Sequence, residues 1–354
     1  MRGLHILAAL ESGIWAMEPL HLSNMAAVLR RWSTGASASP EVMAEVHAAQ
    51  AARKAKTSQT LGGGIAVMSL SGIIAPKASA VDEVSGGGTT SLQLFNQALS
   101  EAVADNSIGA IILTFDTPGG NVVMTPETAA KVMEARKTKP VYGYVEGLCA
   151  SAGYWIASAC TELYSTPSAS IGSIGVYTTH VDVSEAMAME GIKEEFISAG
   201  TYKVEGNSNG PLAPEGRAFI QTQIDSFYGM FTSAVAKGRN VPIANVRGGF
   251  GQGRCLLADD ALREGMVDGI CSFDDVVGKA RKYMKTGRTQ AAIDAPQMVA
   301  EDQRGGFASL NEFIGAVICD ASGKATDSRL VESDDPYLLR LHKARARLLD
   351  IASI

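Results

Sequence analysis

An α/β domain is the fold class this sequence predicts, and three observations predict it. Short runs of β-type residues alternate with helical patterns over roughly residues 61–285. One run, Gly109-Ala110-Ile111-Ile112-Leu113-Thr114-Phe115, is apolar without alternation, as a strand covered on both faces must be. Glycine and small-residue stretches close the runs where turns are needed. Residues 1–60 read as a helical N-terminal segment, and 286–354 as a flexible linker with a C-terminal helical docking segment.

In chain order, Leu20–Ser23, Met25–Trp32 and Pro40–Lys56 have helical composition, with a small-residue break at Ser33–Ser39. Gly62-Gly63-Gly64 opens the central domain. Ile65–Leu70 reads as a buried strand that Gly72-Ile73-Ile74 continues. The loop Ala75–Thr90 holds Gly86-Gly87-Gly88 but no following Gly-Lys-Ser/Thr, which argues against a phosphate-binding loop. Ser91 caps a helix through Ala104, with Leu92, Phe95, Leu99 and Val103 at helical spacing. The strand at 109–115 ends in Asp116-Thr117-Pro118-Gly119-Gly120-Asn121-Val122, and a helix from Pro126 to Arg136 leads to a strand at 141–145. Gly147, Ala150, Ser151, Ala152 and Gly153 then form a turn into an apolar helix running through Cys160. Short strands follow at 162–166, 174–178 and 193–197, then a long helix Pro214–Arg239 and a short helix and turn within Leu256–Gly269. At the C-terminus Tyr337, Leu341, Ala344, Leu348 and Ile351 make one apolar stripe, a docking surface with basic residues elsewhere on the helix.

Composition narrows the function classes. The chain has 354 residues, is 46% hydrophobic and 19% charged, and carries a net charge of −6. That suits a folded protein and gives no reason to expect nucleic-acid affinity. Its five cysteines (Cys149, Cys160, Cys255, Cys271, Cys319) are scattered, with no zinc or disulfide spacing, which fits a reducing compartment. No segment reaches the ~18 uninterrupted apolar residues of a membrane span, so a soluble, intracellular protein without a membrane anchor is expected.

The turn at Ser151 is where chemistry is expected. A serine among small residues between a strand and a helix stands at free backbone N–H groups, which favour a developing oxyanion. The same local pattern also describes a plain helix N-cap. A nucleophilic serine needs a base. His5, His21, His47 and His342 lie in the terminal segments, leaving His180, with Asp182 two residues on. Residues two apart on a strand rarely form a base and its orienting carboxylate, so a surface role suits His180 better. Lys203 is the other choice, in the small-residue loop between Gly200 and Gly206. An ordinary lysine, with a pKa of about 10.4, is neutral in only ~4 molecules per 10,000 at pH 7. Base work therefore needs burial that lowers this by roughly 2–3 units, and residue types alone leave solvent exposure as the simpler reading.

Four motifs weigh against that simpler reading. Asp116–Val122, Ala150-Ser151-Ala152-Gly153-Tyr154-Trp155-Ile156-Ala157, Gly172-Ser173-Ile174-Gly175-Val176 and Gly200-Thr201-Tyr202-Lys203 occur in that order. In this the chain resembles the signal peptide peptidase A (SppA) family of serine peptidases over roughly residues 62–285. Within the family it looks most like the phage type, which also has an N-terminal Trp, Pro and Leu pattern like Trp15–Leu20 and no membrane anchor.

The resemblance implies a ClpP/crotonase-like α/β fold and a Ser–Lys dyad. Ser151 would be the nucleophile, Lys203 the general base, and Ser173 the hydroxyl that orients the lysine. The N–H groups of Gly120 and Ala152, with Gly119, would form the oxyanion hole. The family often has a second glycine where Ala152 stands, and Thr117 replaces a common serine. No cofactor or metal is implied. The expected role is a phage head-maturation endopeptidase in the host cytoplasm, inside the prohead. It would cut scaffold, portal, capsid protein or its own chain, and assemble as a homo-oligomeric ring whose active sites join neighbouring subunits. Other readings are a cellular peptidase clearing signal-peptide remnants, an acyl-CoA enzyme of crotonase type, and a non-catalytic component of the head or portal.

Overall fold

The computed structural model describes residues 13–23, 26–27, 58–77 and 89–286. The expected helices at 25–32 and 40–56 fall mostly or wholly outside these residues, and the C-terminal stripe wholly outside. In chain order the strands and helices are β1 Trp15–Met17, β2 Ser58–Leu61, β3 Ile65–Ser71, β4 Ile73–Ala75, β5 Thr89–Ser91, α1 Leu92–Ala104, β6 Ala110–Thr117 and β7 Gly119–Asn121. Then come α2 Thr125–Thr138, β8 Val141–Ala150, α3 Ala152–Ala157, β9 Glu162–Ser165, β10 Ser170–Gly172 and α4 Ser184–Met189. The last are α5 Pro214–Arg239, α6 Ile243–Gly248, β11 Cys255–Leu257, α7 Ala258–Arg263, β12 Gly269–Ile270 and α8 Phe273–Lys285.

A large sheet runs β11-β10-β8-β6-β3-β2, with β9 paired to β8 and β12 paired to β9, and a small sheet runs β1-β7-β4-β5. β3, β6 and β8 are parallel. After β3 and after β6 the chain steps into the small sheet, as β4 and β7, before returning through a helix. The unit is therefore strand, strand, helix, stacked side by side. The α/β class and the ClpP/crotonase-like plan expected above are met by this arrangement.

The pleat of β6 shows why its sequence is apolar throughout. Ile111, Leu113 and Phe115 face the larger core with Leu92, Phe95, Val132 and Trp155. Ala110 and Ile112 face a second core with Tyr142, Tyr144, Tyr164 and the Val276, Val277 and Ala280 face of α8. Successive side chains of a strand point to opposite faces, so two covered faces require apolar residues at every position. Helix α1 begins as expected, with Ser91 Oγ accepting the Leu94 N–H at 3.4 Å.

Five elements depart from expectation, the first being the strand expected at 174–178: residues 173–176 lie in no strand, and Tyr177 makes only an isolated bridge to Trp15. Trp15–Met17, inside a segment expected to be helical, is a strand, and β2 at 58–61 is another; the helical reading survives at 19–23. β8 runs on to Ala150 instead of ending at Val145, because its second half finds a new parallel partner in β10. Residues 193–197 form no strand: they are exposed throughout, and no neighbouring strand pairs with them. β-type residues without an adjacent edge have no ladder to join.

Candidate active site

Ser151 follows the last residue of β8 and precedes the first of α3. Its backbone has φ 53° and ψ −115°, a region that costs a non-glycine residue about 1–3 kcal/mol. The surroundings impose it. The Ser151 N–H donates to the Gly172 carbonyl at 2.7 Å, and the Trp155 N–H donates back to the Ser151 carbonyl at 2.9 Å. Every residue of α3 is buried. The Trp155 ring stacks on Phe231 of α5 at 4.4 Å, nearly parallel, and the Tyr154 hydroxyl donates to the Met266 carbonyl at 2.9 Å. Burial pushes the Tyr154 phenol well above its ordinary range, so it stays a neutral donor. Gly153 fits because any side chain there would collide with the Thr117 methyl. The turn expected to span several small residues is thus a single residue, clamped from both ends.

Ser173 stands next door. β10 pairs with the end of β8, Gly172 opposite Ala150, and Ser173 too has a positive φ of 52°. Its N–H donates to the Arg254 carbonyl at 2.9 Å. Both serines are buried. The Ser151 hydroxyl lies 3.4 Å from the Gly175 carbonyl.

β7 carries the glycines. Gly120 is required by close approach, since a side chain there would run into the Ile74 backbone of β4. Gly119, at φ 95°, sits so that a methyl group would come within 3.0 Å of Ser151 Cβ. The Gly119 N–H is donated to Thr117 Oγ1 at 3.1 Å, and that hydroxyl in turn donates to the Gly72 carbonyl at 2.6 Å. Gly119 is therefore not a free oxyanion donor here; Thr117, whose hydroxyl was not singled out from sequence, holds the strand in place. The Ala152 N–H belongs to the first turn of α3, where no intrahelical acceptor exists. The Gly120 N–H faces β1: the register pairs Ala16 with Gly120. The flanking bonds, Val122 N–H to Ile14 O and Glu18 N–H to Pro118 O, make this one of the ladder pairs that exchange hydrogen bonds.

Lys203 is elsewhere in character. It lies exposed in the turn 201–206, its N–H bonded to the Gly200 carbonyl at 3.1 Å. Its ammonium has no hydrogen-bond or ion-pair partner among the described residues, Ser151 and Ser173 included. From residue 175 to 215 no residue is buried. Large apolar side chains stand in the open on this stretch, Met189 84% and Ile197 98% exposed, with Ile192, Phe196 and Tyr202 also exposed. The alternative base is not assembled either. His180 Nε2 lies 3.1 Å from the Gly210 carbonyl, while the Asp182 carboxylate accepts the Ser184 N–H and hydroxyl at 2.9 and 2.6 Å. The structure thus brings together Ser151, Ser173, Gly119, Gly120 and Ala152, and leaves Lys203 apart.

Residues 133–287 match the model of peptidase family S49. The chain is 26% identical over 315 residues to the head-tail preconnector protein GP5 of Enterobacteria phage P21, covering 85% of this chain and 62% of that protein. It is 27% identical over 251 residues to the capsid assembly protease C of Escherichia phage lambda, covering 71% of this chain and 56% of that one. A protein named as a protease in Methanocaldococcus jannaschii is 30% identical over 220 residues, which span 61% of this chain and 68% of the relative. The chain thus spans less than two thirds of the length of the two phage proteins. No helix among the described residues is long and apolar enough to cross a membrane.

Proposed function

Because the chain belongs to peptidase family S49, we propose that it is a serine endopeptidase with Ser151 as nucleophile and Lys203 as general base. The observation that carries the reading is Ser151 itself: a strained, buried serine held between a glycine strand and the first turn of a buried helix. Strain of this kind persists where the surroundings over-determine it, and it clusters at reactive positions.

In the proposed reaction the neutral Lys203 amine takes the Ser151 hydroxyl proton as Oγ attacks the scissile carbonyl. The oxyanion forms against the N–H groups of Gly120 and Ala152. The ammonium then gives its proton to the leaving amine, and a water deprotonated by the same amine hydrolyses the acyl ester. Ser173 orients the amine. A lysine becomes a base when its surroundings disfavour its charged form, and the exposed turn at 201–206 supplies no such surroundings. We infer that a second copy of the chain covers the 175–215 segment and that Lys203 serves the serine of a neighbouring subunit in a homo-oligomer. The exposed Met189, Ile192, Phe196 and Ile197 support this, since soluble chains rarely leave such side chains contiguous and uncovered.

The phage relatives point to the setting: a head-maturation peptidase acting inside the prohead, in the host cytoplasm, on scaffold, portal, capsid protein or its own chain. The domain plan proposed is a helical segment 1–60, the peptidase domain 61–285 and a docking segment 286–354. The test is co-expression with the neighbouring portal and scaffold-like proteins, read by intact mass. Processing is expected with the wild type and absent with Ser151→Ala and with Lys203→Ala. Loss with the serine variant alone would remove Lys203 as base. No processing in any sample, with assembly intact, would favour a structural head component.

A further inference from the structure

A sheet edge offers its N–H and C=O groups to any extended peptide, which adds as one more strand. A peptidase that attacks an extended peptide must keep the edge beside its nucleophile open for it. Here that edge is filled from within the chain. β1 lies antiparallel to β7, with Trp15 opposite Asn121, Ala16 opposite Gly120 and Met17 opposite Gly119. Its other edge is bonded as well: the Trp15 N–H donates to the Tyr177 carbonyl at 2.9 Å, and the Tyr177 N–H to the Trp15 carbonyl at 3.0 Å. Thr178 Oγ1 adds a bond to the Gly13 carbonyl at 2.9 Å.

The strand therefore fills a slot between β7 and the segment after Ser173, and the slot passes the nucleophile. Any side chain on Gly119 would meet both the Ala16 carbonyl oxygen and Ser151 Cβ. The ladder alternation gives the Ala16 carbonyl the Gly120 N–H, the group assigned above to the oxyanion. Trp15, Ala16 and Met17 are all buried, and Ser151 with them. The smallest of the three side chains, Ala16, stands opposite Gly120, where β4 leaves no room for a side chain on the glycine.

We propose that residues 13–18 are an internal ligand, occupying the slot in which a substrate strand must lie and keeping Ser151 latent until they are withdrawn. The inference rests on the peptidase reading above and adds a ligand class to it: an extended apolar peptide with a small residue opposite Gly120.

The test uses full-length chains and two readouts. In a Ser151→Ala background, a fluorescein-labelled peptide of sequence Gly13–Pro19 is titrated and followed by anisotropy. Ala16→Pro removes the N–H that bonds the Gly120 carbonyl and releases the strand. The pair Trp15→Gly with Met17→Gly releases it by loss of its buried anchors, guarding against misfolding of the proline variant, and circular dichroism confirms the fold of each. Peptide binding is expected only in the released chains. In the Ser151 background, hydrolysis of denatured casein is expected to rise at least tenfold on release, and to fall again when the free peptide is added. Equal peptide binding with and without release would overturn the inference. Equal, Ser151-dependent hydrolysis with and without release would overturn latency while leaving the peptidase reading intact. Peptide binding confined to the released chains, with no hydrolysis anywhere, would uphold occupancy and overturn the peptidase reading.

Discussion

Residues 141–174 and 175–215 adjoin in the chain and are held in opposite ways. In the first stretch β8 has partners on both edges, α3 is wholly buried, and two serines are kept at positive φ by bonds from fixed neighbours. In the second no residue is buried, and apolar side chains as large as Met189 and Ile197 face solvent. The proposed nucleophile is thus built into a tightly constrained stretch of the described residues and the proposed base into an exposed one. A strained conformation needs a rigid frame, whereas a group to be delivered across a subunit boundary needs a surface still open to a partner.

That contrast is sharpened first by activity. Ser151→Ala and Lys203→Ala should each lower peptide hydrolysis by at least ~10³-fold, the scale seen when a nucleophile or its base is removed. Measured on the released chains described above, a Lys203→Ala enzyme retaining more than a tenth of the rate would detach the exposed segment from the chemistry.

Stability should separate the two stretches next. Trp155→Ala leaves a cavity against Phe231 and should cost about 3–5 kcal/mol. Tyr202→Ala, on the exposed turn, should stay within about 0.5 kcal/mol. Urea denaturation reads both, and similar costs would erase the distinction.

Association is the third contrast. Met189→Asp with Ile197→Asp should shift the mass by light scattering toward the monomer and lower hydrolysis about tenfold or more, with the urea midpoint of the monomer unchanged. An unaltered oligomer would place the subunit contact elsewhere.

The smallest effect is chemical. Burial pushes the Cys160 thiol up to about 12 and Cys149 well above its ordinary range, so neither should react with a thiol reagent at pH 8 until the protein unfolds. An ordinary thiol titrates near 8.5. As the pH climbs past that value the unfolded chain ionises and the native one does not, so stability falls with rising pH toward 12. Cys160→Ala should flatten this alkaline loss, as thermal melts between pH 8 and 10.5 would show.

Much of this was readable from residue order. The unbroken apolar run of β6 announced a strand covered on both faces, and Ser91 announced a cap. Ser151, Ser173, Gly119, Gly120 and Ala152 were all named from motifs that the fold brings to one place. What could not be read depends on distant pairing. Three residues, Trp15–Met17, are too few to show a period, and they become a strand only because β7, a hundred residues on, offers an edge. β8 extends past Gly147 only because β10 returns beside it. The 193–197 stretch has strand composition and no edge to use it on. The separation of Lys203 from Ser151 is a fact of tertiary position, which no local pattern records.

The most direct measurement mixes two inactive proteins. Ser151→Ala and Lys203→Ala chains, each carrying the released N-terminal strand, are dissociated, combined in equal amounts, reassembled and assayed on denatured casein. A site shared between a constrained serine and a neighbour's lysine predicts that activity returns, to as much as about a quarter of the unmutated level if subunits mix at random. If the unmutated oligomer is active and the mixture stays as inactive as its parents, serine and lysine belong to one chain, and the division of labour between the two stretches is contradicted.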